Sequence, residues 1–144
     1  MPTPAVVEVV TSLFLTVSQL SGYAGPKEMP RLSVLSTAEM HEQLCKGSCG
    51  VRAFYLDGKG VYLRDDLDFV NDLKARSILL HELVHHVQHE SGKFEALEPC
   101  ERWLAREDEA YRIQNAYLSS MRSSMKFVFD FLPERCRETG AARN

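Results

Sequence analysis

The apolar and polar positions of the chain predict helices separated by a few short strands. Residues 5–20 are apolar along much of their length and form the first predicted helix. Apolar residues recur at helical spacing over residues 72–91 and again over residues 100–118. Short segments typical of strands lie between these helices, at residues 31–35, 51–56 and 61–64, and the last two flank the hairpin sequence Asp57-Gly58-Lys59-Gly60.

This order of elements, with a short helix over residues 37–44, indicates an α+β fold. We expect a small, mostly antiparallel sheet packed on the helix of residues 72–91, followed by a C-terminal helix. The 144 residues suffice for one domain, residues 1–144, whose tail frays after about residue 133. The first helix carries several polar residues, so we expect a buried core helix and no membrane span.

The helix of residues 72–91 carries the sequence His81-Glu82-Leu83-Val84-His85. Positions i and i+4 lie on the same face of a helix, so the two imidazoles can hold one metal ion. Histidines at this spacing with an intervening Glu are typical of zinc sites in which the Glu acts on a zinc-bound water. We therefore predict Zn²⁺ as the cofactor, His81 and His85 as its ligands, and Glu82 as the general base.

A catalytic zinc usually takes three protein ligands, so a third ligand must come from outside this helix. In the helix of residues 100–118, Glu107 falls within an apolar stripe, where a carboxylate must be paired or bound to a metal. Glu109 falls among Arg106 and Arg112, where solvation suffices. Glu107 is therefore the predicted third ligand, and Glu109 is the alternative.

The chain resembles a small gluzincin, the class of zinc peptidases whose third ligand is a Glu on the helix after the motif helix. In many members this Glu opens the pattern Glu-x-x-Ala-Asp or Glu-x-x-Ala-Asn, and the segment from Glu107 to Tyr111 matches it except at the last residue. The lead-in from Gly60 is similar to that of ImmA and IrrE type peptidase domains, and the motif sequence is similar to that of short bacterial zincins of unknown function. The resemblance implies a minimal zincin-like fold.

The predicted function is zinc-dependent hydrolysis of peptide bonds in a peptide or protein substrate. Tyr111, His86 and His89 are candidates for stabilising the oxyanion, and Tyr111 occupies the position of the residue that usually steadies a ligand histidine in these enzymes. The alternative is a zinc-bound binding or regulatory module with weak turnover, because so short a chain has little material for a second lobe beside a cleft. A net charge of −3 without a basic cluster disfavours a nucleic-acid partner.

Four cysteines, Cys45, Cys49, Cys100 and Cys136, allow two disulfides. The glycine-rich segment between Cys45 and Cys49 favours a small closed loop, which leaves Cys100 to pair with Cys136. Reduced thiols are the alternative, because buried free cysteines are common. Paired cysteines favour an exported or periplasmic protein whose leader has been removed, and reduced ones favour a cytoplasmic protein.

Overall fold

A computed structural model describes residues 2–45, 51–129 and 136 of the chain and confirms the α+β prediction. Four α-helices and a three-stranded sheet account for most of the described part. In chain order the elements are α1 (Pro4–Ser21), β1 (Leu32–Leu35), α2 (Thr37–Met40) continued by a π-helical turn (His41–Cys45), β2 (Ala53–Leu56), β3 (Gly60–Arg64), α3 (Leu73–Ser91) and α4 (Pro99–Ser120).

The sheet has the order β1-β3-β2 and is mixed rather than mostly antiparallel. β2 and β3 form the expected antiparallel hairpin, while β1 pairs with β3 in parallel. Gly60 is required at the start of β3, because its φ is +103° and a Cβ there would overlap the carbonyl oxygen of Arg31. This close approach lets the Val61 N–H donate to the same carbonyl at 2.8 Å, which joins β1 to the hairpin.

The ends of α3 follow from local sequence. The Asp72 side chain accepts a hydrogen bond from the Lys74 backbone N–H at 3.0 Å, which caps the first turn. Gly92 ends the helix in the left-handed region, with φ at 68°, where a residue without Cβ is favoured. The helix predicted over residues 72–91 is thus confirmed to within one residue at its start, and its histidines have a fixed register.

α3 is the central element of the core. It contacts α1, α4 and both hairpin strands, and ten of its residues are buried. Leu79, Leu80, Leu83 and Val84 are completely removed from solvent. Burial of each such side chain contributes roughly 1.5–3 kcal/mol, so this face alone anchors the motif helix firmly. The motif side chains are therefore presented by a rigid support.

One face of α1 packs into the core, where it buries Val10, Leu13, Phe14 and Val17. The helix nevertheless has a mean hydropathy of 1.4, and its 18 residues are long and apolar enough to cross a membrane by length and composition. Only 22% of that window is buried, and a core helix or an N-terminal signal sequence passes the same criteria. Length and composition therefore do not decide whether α1 spans a membrane, while its predicted packing in the core is confirmed for one face.

A disulfide joins Cys100, at the start of α4, to Cys136, with 5.4 Å between their Cα atoms. This pairing is as predicted. The side chains of Cys45 and Cys49 lie outside the described residues, and so does most of the tail predicted to fray.

Candidate metal centre

Two helices bring together three side chains of types that can bind a metal. His81 and His85 lie one turn apart on α3, and Glu107 faces them from the middle of α4. One ligand atom from each lies within 4.8 Å of the others. α3 and α4 make the most extensive contact between any two elements of the described chain, so their packing fixes this group.

The spacing of these atoms fits a tetrahedral zinc ion. The two Nε2 atoms are 3.2 Å apart, and Glu107 Oε2 lies 2.9 Å from His85 Nε2 and 3.3 Å from His81 Nε2. Ligands bound to tetrahedral zinc at about 2.0–2.1 Å are separated by roughly 3.3 Å. The three atoms thus occupy the corners that three such ligands require.

A chain of hydrogen bonds sets the tautomer of His81. The Ser77 hydroxyl donates to the Lys74 carbonyl at 2.7 Å, so its oxygen is left to accept from Gln114 Nε2 at 3.2 Å. Gln114 Oε1 therefore faces His81 Nδ1, at 3.0 Å. Because an amide oxygen only accepts, His81 carries its proton on Nδ1, and in the neutral ring Nε2 presents a lone pair to the centre.

Gln88 sets the tautomer of His85 in the same way. Its Nε2 donates to the Arg106 carbonyl and to the Glu109 carboxylate, both at 3.0 Å. Its Oε1 therefore accepts from His85 Nδ1 at 2.9 Å, and the His85 lone pair also lies on Nε2. Two lone pairs and a carboxylate pointed at one another repel unless a proton or a cation lies between them.

The pKa values of the two carboxylates at the centre, Glu107 and Glu82, are shifted in opposite directions. Burial raises the pKa of Glu107, but without a metal the hydrogen bonds and positive charge of the protonated forms of His81 and His85 outweigh it and hold that pKa well below its ordinary range. Burial raises the pKa of Glu82 to about 7; His81 opposes the rise and Glu107 adds to it. Glu107 is thus the permanently ionised group, and Glu82 is the one able to exchange a proton near neutrality.

The centre opens into a cleft of about 880 Å³. Side chains of α3, including Glu82, form its floor, and β2 forms one wall. The opposite wall is α4 together with Phe127. Arg106 ties the two walls, because it donates to both carboxylate oxygens of Asp57, after β2, at 2.9 and 3.0 Å.

The three residues predicted as candidates for stabilising the oxyanion lie in different places relative to the cleft. Tyr111 lines the cleft, and its ring contacts that of His81, with 4.5 Å between centroids. His86 lies outside the cleft: its Nε2 is 2.7 Å from the Glu28 carbonyl and its Nδ1 is 3.3 Å from the Tyr55 hydroxyl. His86 thus contacts other parts of the fold and is not among the described residues that line the cleft. His89 lies beside Asp57, 3.6 Å away, and is also absent from the described lining.

Glu109 is not the solvated residue that its neighbours in sequence indicated. It is only 5% exposed and accepts hydrogen bonds from the Tyr23 hydroxyl, from Gln88 Nε2, and from Lys93 Nζ at 2.6 Å. The segment after α1 covers this side of α4, which α4 alone cannot reveal. Glu109, the alternative metal ligand, does not belong to the group of His81, His85 and Glu107; it is linked to that group through Gln88, which bonds both Glu109 and His85.

The two glutamines are the functional residues that sequence reasoning missed. Gln88 and Gln114 are 2% and 1% exposed. Both stand within the apolar faces of their helices, and a buried amide there needs partners. The requirement that a buried polar side chain has hydrogen-bond partners, applied to the polar residues on the apolar faces of α3 and α4, would have identified both glutamines.

Comparison with known proteins places the chain in a family without indicating its activity. A family model described as a domain of unknown function (DUF6647) matches residues 2–138. The match covers nearly the whole chain, which therefore belongs to this family. No curated protein and no solved structure matches it. The case for a function depends on the geometry of the site itself.

Proposed function

We propose that this member of the DUF6647 family is a zinc-dependent peptidase, similar to the small gluzincins. The observation that carries the proposal is the convergence of two imidazole lone pairs and an ionised carboxylate, at tetrahedral spacing, beside Glu82 in an open cleft. His81, His85 and Glu107 would hold the ion. When bound, zinc supplies positive charge that polarises a substrate carbonyl and makes a water more acidic.

Glu82 is the general base of this proposal. Its carboxyl lines the same cleft as the three ligands and receives a hydrogen bond from the Tyr55 backbone N–H, which orients it. It accepts the proton of the attacking water and then passes that proton to the leaving amine. Tyr111, which lines the same cleft beside His81, would stabilise the developing negative charge on the carbonyl oxygen.

The substrate would bind as an extended strand. β2 is an edge of the described sheet, since only β3 pairs with it, and its residues 53–56 run along the cleft. An edge strand presents backbone N–H and C=O groups that bind another extended chain, and in β2 these are the outward-facing groups other than the Tyr55 N–H, which is bonded to Glu82. Recognition through backbone groups favours unstructured peptides or flexible segments of proteins.

We also propose an exported location. The disulfide between Cys100 and Cys136 fits an oxidising compartment, because cytosolic thiols are kept reduced in most organisms. Thiol alkylation of protein isolated from its native cell would test this. Unreduced protein should show neither cysteine modified, whereas modification of both would indicate the cytoplasm.

Metal analysis and turnover test the peptidase proposal together. Protein purified without chelators should hold about one zinc per chain, and Glu107→Ala should lose it. Asp108→Ala is the matched control, since Asp108 is exposed on the same turn. Glu82→Gln should keep the zinc and lose hydrolysis of a broad mixture of unstructured peptides by about 10²–10⁴-fold. Zinc-loaded wild type without activity over that of Glu82→Gln would favour the binding-module alternative, and no metal would refute both.

A further inference from the structure

The segment after α4 turns back along that helix and reaches the metal centre. Arg122 adopts a left-handed backbone conformation, with φ at 59°, and the Ser123 N–H donates to the Leu118 carbonyl at 3.0 Å. We call residues 121–129 the return segment. Further along, Cys136 is bonded to Cys100 at the opposite end of α4. Ser123 and Cys136 are therefore both attached to α4, one by a hydrogen bond and the other by a disulfide.

A side chain of α4 holds the return segment by its backbone. Asn115 Oδ1 accepts from the Phe127 N–H, and Asn115 Nδ2 donates to the Phe127 carbonyl, both at 2.8 Å. This pair of bonds fixes Phe127 independently of its own side chain. The ring of Phe127 is thereby free to line the cleft.

Aromatic rings of α4 and of the return segment surround the third ligand. Trp103 and Tyr111 lie one turn before and one turn after Glu107, on the same face of α4. Phe129 bridges them, stacked on Tyr111 at 5.5 Å and edge-on to Trp103 at 5.6 Å between centroids. Trp103, Tyr111 and Phe127 all line the cleft, opposite the edge of β2.

We infer that the return segment and α4 together form an apolar subsite beside the metal, which selects substrates with a large apolar or aromatic side chain. This inference rests on the proposed peptidase function, and it names the substrate class of the same site. A peptide lying along β2 places its backbone on the edge strand and alternate side chains toward either face. A side chain that points toward α4 meets aromatic rings, against which an apolar group gains affinity by burial.

The chain contains one tryptophan, so its fluorescence reports on this wall alone. The ligands are blocked six-residue peptides of alanine and glycine, each with a single Phe placed at one position in turn, and the same peptide without Phe. They are titrated into zinc-loaded Glu82→Gln protein, and the change in Trp103 fluorescence measures binding. We expect one Phe position to bind roughly 10- to 100-fold more tightly than the Phe-free peptide, as burial of a benzyl side chain predicts.

Two variants and a control locate the effect. Phe127→Ala should reduce the preference for Phe at least several-fold, and Asn115→Ala, which releases the backbone of Phe127, should reduce it similarly. Val128→Ala is the control, because Val128 is 72% exposed on the same segment, and it should keep the preference. A preference for Phe that is absent in the parent protein, or unchanged in both variants, overturns the subsite.

Turnover by protein with Glu82 intact separates this inference from the proposed function. Cleavage of these peptides without preference for Phe keeps the peptidase and overturns the subsite. Binding with a preference for Phe, together with no cleavage of any peptide by zinc-loaded protein, keeps the subsite and overturns the peptidase.

Discussion

Replacement of Gln114 by Leu should weaken zinc binding without changing any ligand. Gln114 is buried, and its Oε1 is the acceptor for His81 Nδ1–H at 3.0 Å. Leucine fills a similar volume but accepts no hydrogen bond, so a buried imidazole N–H is left unsatisfied. That costs about 1–3 kcal/mol and removes the restraint on the His81 tautomer and ring orientation. Loss of such a supporting group typically lowers metal affinity about 10- to 100-fold.

The assay is competition for zinc against a chromophoric chelator near neutral pH. A 10- to 100-fold weaker affinity corresponds to about 1.4–2.7 kcal/mol, so the melting temperature should also respond less to added zinc. Gln114→Glu is the control, because a carboxylate keeps an acceptor for His81, and the Ser77 hydroxyl can rotate to donate to its other oxygen. A folded Gln114→Leu protein with wild-type zinc affinity would refute the proposed support of His81.

Three further predictions concern stability. Cys100→Ser with Cys136→Ser should lower the free energy of unfolding by about 2–5 kcal/mol in denaturant titrations, and an unchanged midpoint would contradict a stabilising disulfide. Burial raises the pKa of Glu109, but its hydrogen bonds more than offset this and lower the pKa below its ordinary value. The ionised Glu109 therefore stabilises the fold above its unfolded-state pKa, and this stabilisation is lost as the pH falls through its folded-state pKa. Glu109→Gln should reduce that acid-side loss in melts between about pH 6 and 3; an unaltered slope would exclude Glu109 as its source. Gly60→Ala should destabilise the fold by roughly 1–3 kcal/mol or more, because its φ is positive and its Cβ would meet the Arg31 carbonyl; Gly58→Ala, with open space around it, is the milder control.

The predictable part of the site is the part encoded within one helix. The spacing of His81 and His85 fixes their shared face, and Asp72 and Gly92 fix where that helix begins and ends. Glu107 could be singled out because a carboxylate in an apolar stripe needs a partner. These inferences use only residues within a few turns of each other, where helical geometry determines proximity.

The unpredictable part depends on contacts between distant segments. Tyr23 meets Glu109 across 86 residues, and Gln114 meets His81 across 33 residues. The helical periodicity of α4 shows that one side faces the core, but it does not show that the segment after α1 covers another side. For that reason Glu109 was expected in solvent and lies buried instead. The parallel pairing of β1 was missed for the same reason, since hairpin signals describe only adjacent strands.

The choice of amides as supports has a consequence for the charge of the centre. In the proposed zinc site His81 and His85 would be neutral ligands, and Gln88 and Gln114 behind them are neutral too, so Glu107 is the one anion among these five residues. Carboxylates in place of the glutamines would add negative charge through the imidazoles and reduce the electrophilic character of a bound divalent cation. With neutral supports, the pair of Glu107 and a divalent cation keeps a net positive charge next to Glu82. In the proposed enzyme that charge would favour the ionised form of Glu82, whose pKa burial otherwise raises to about 7, and so would keep Glu82 ready to accept a proton at neutral pH.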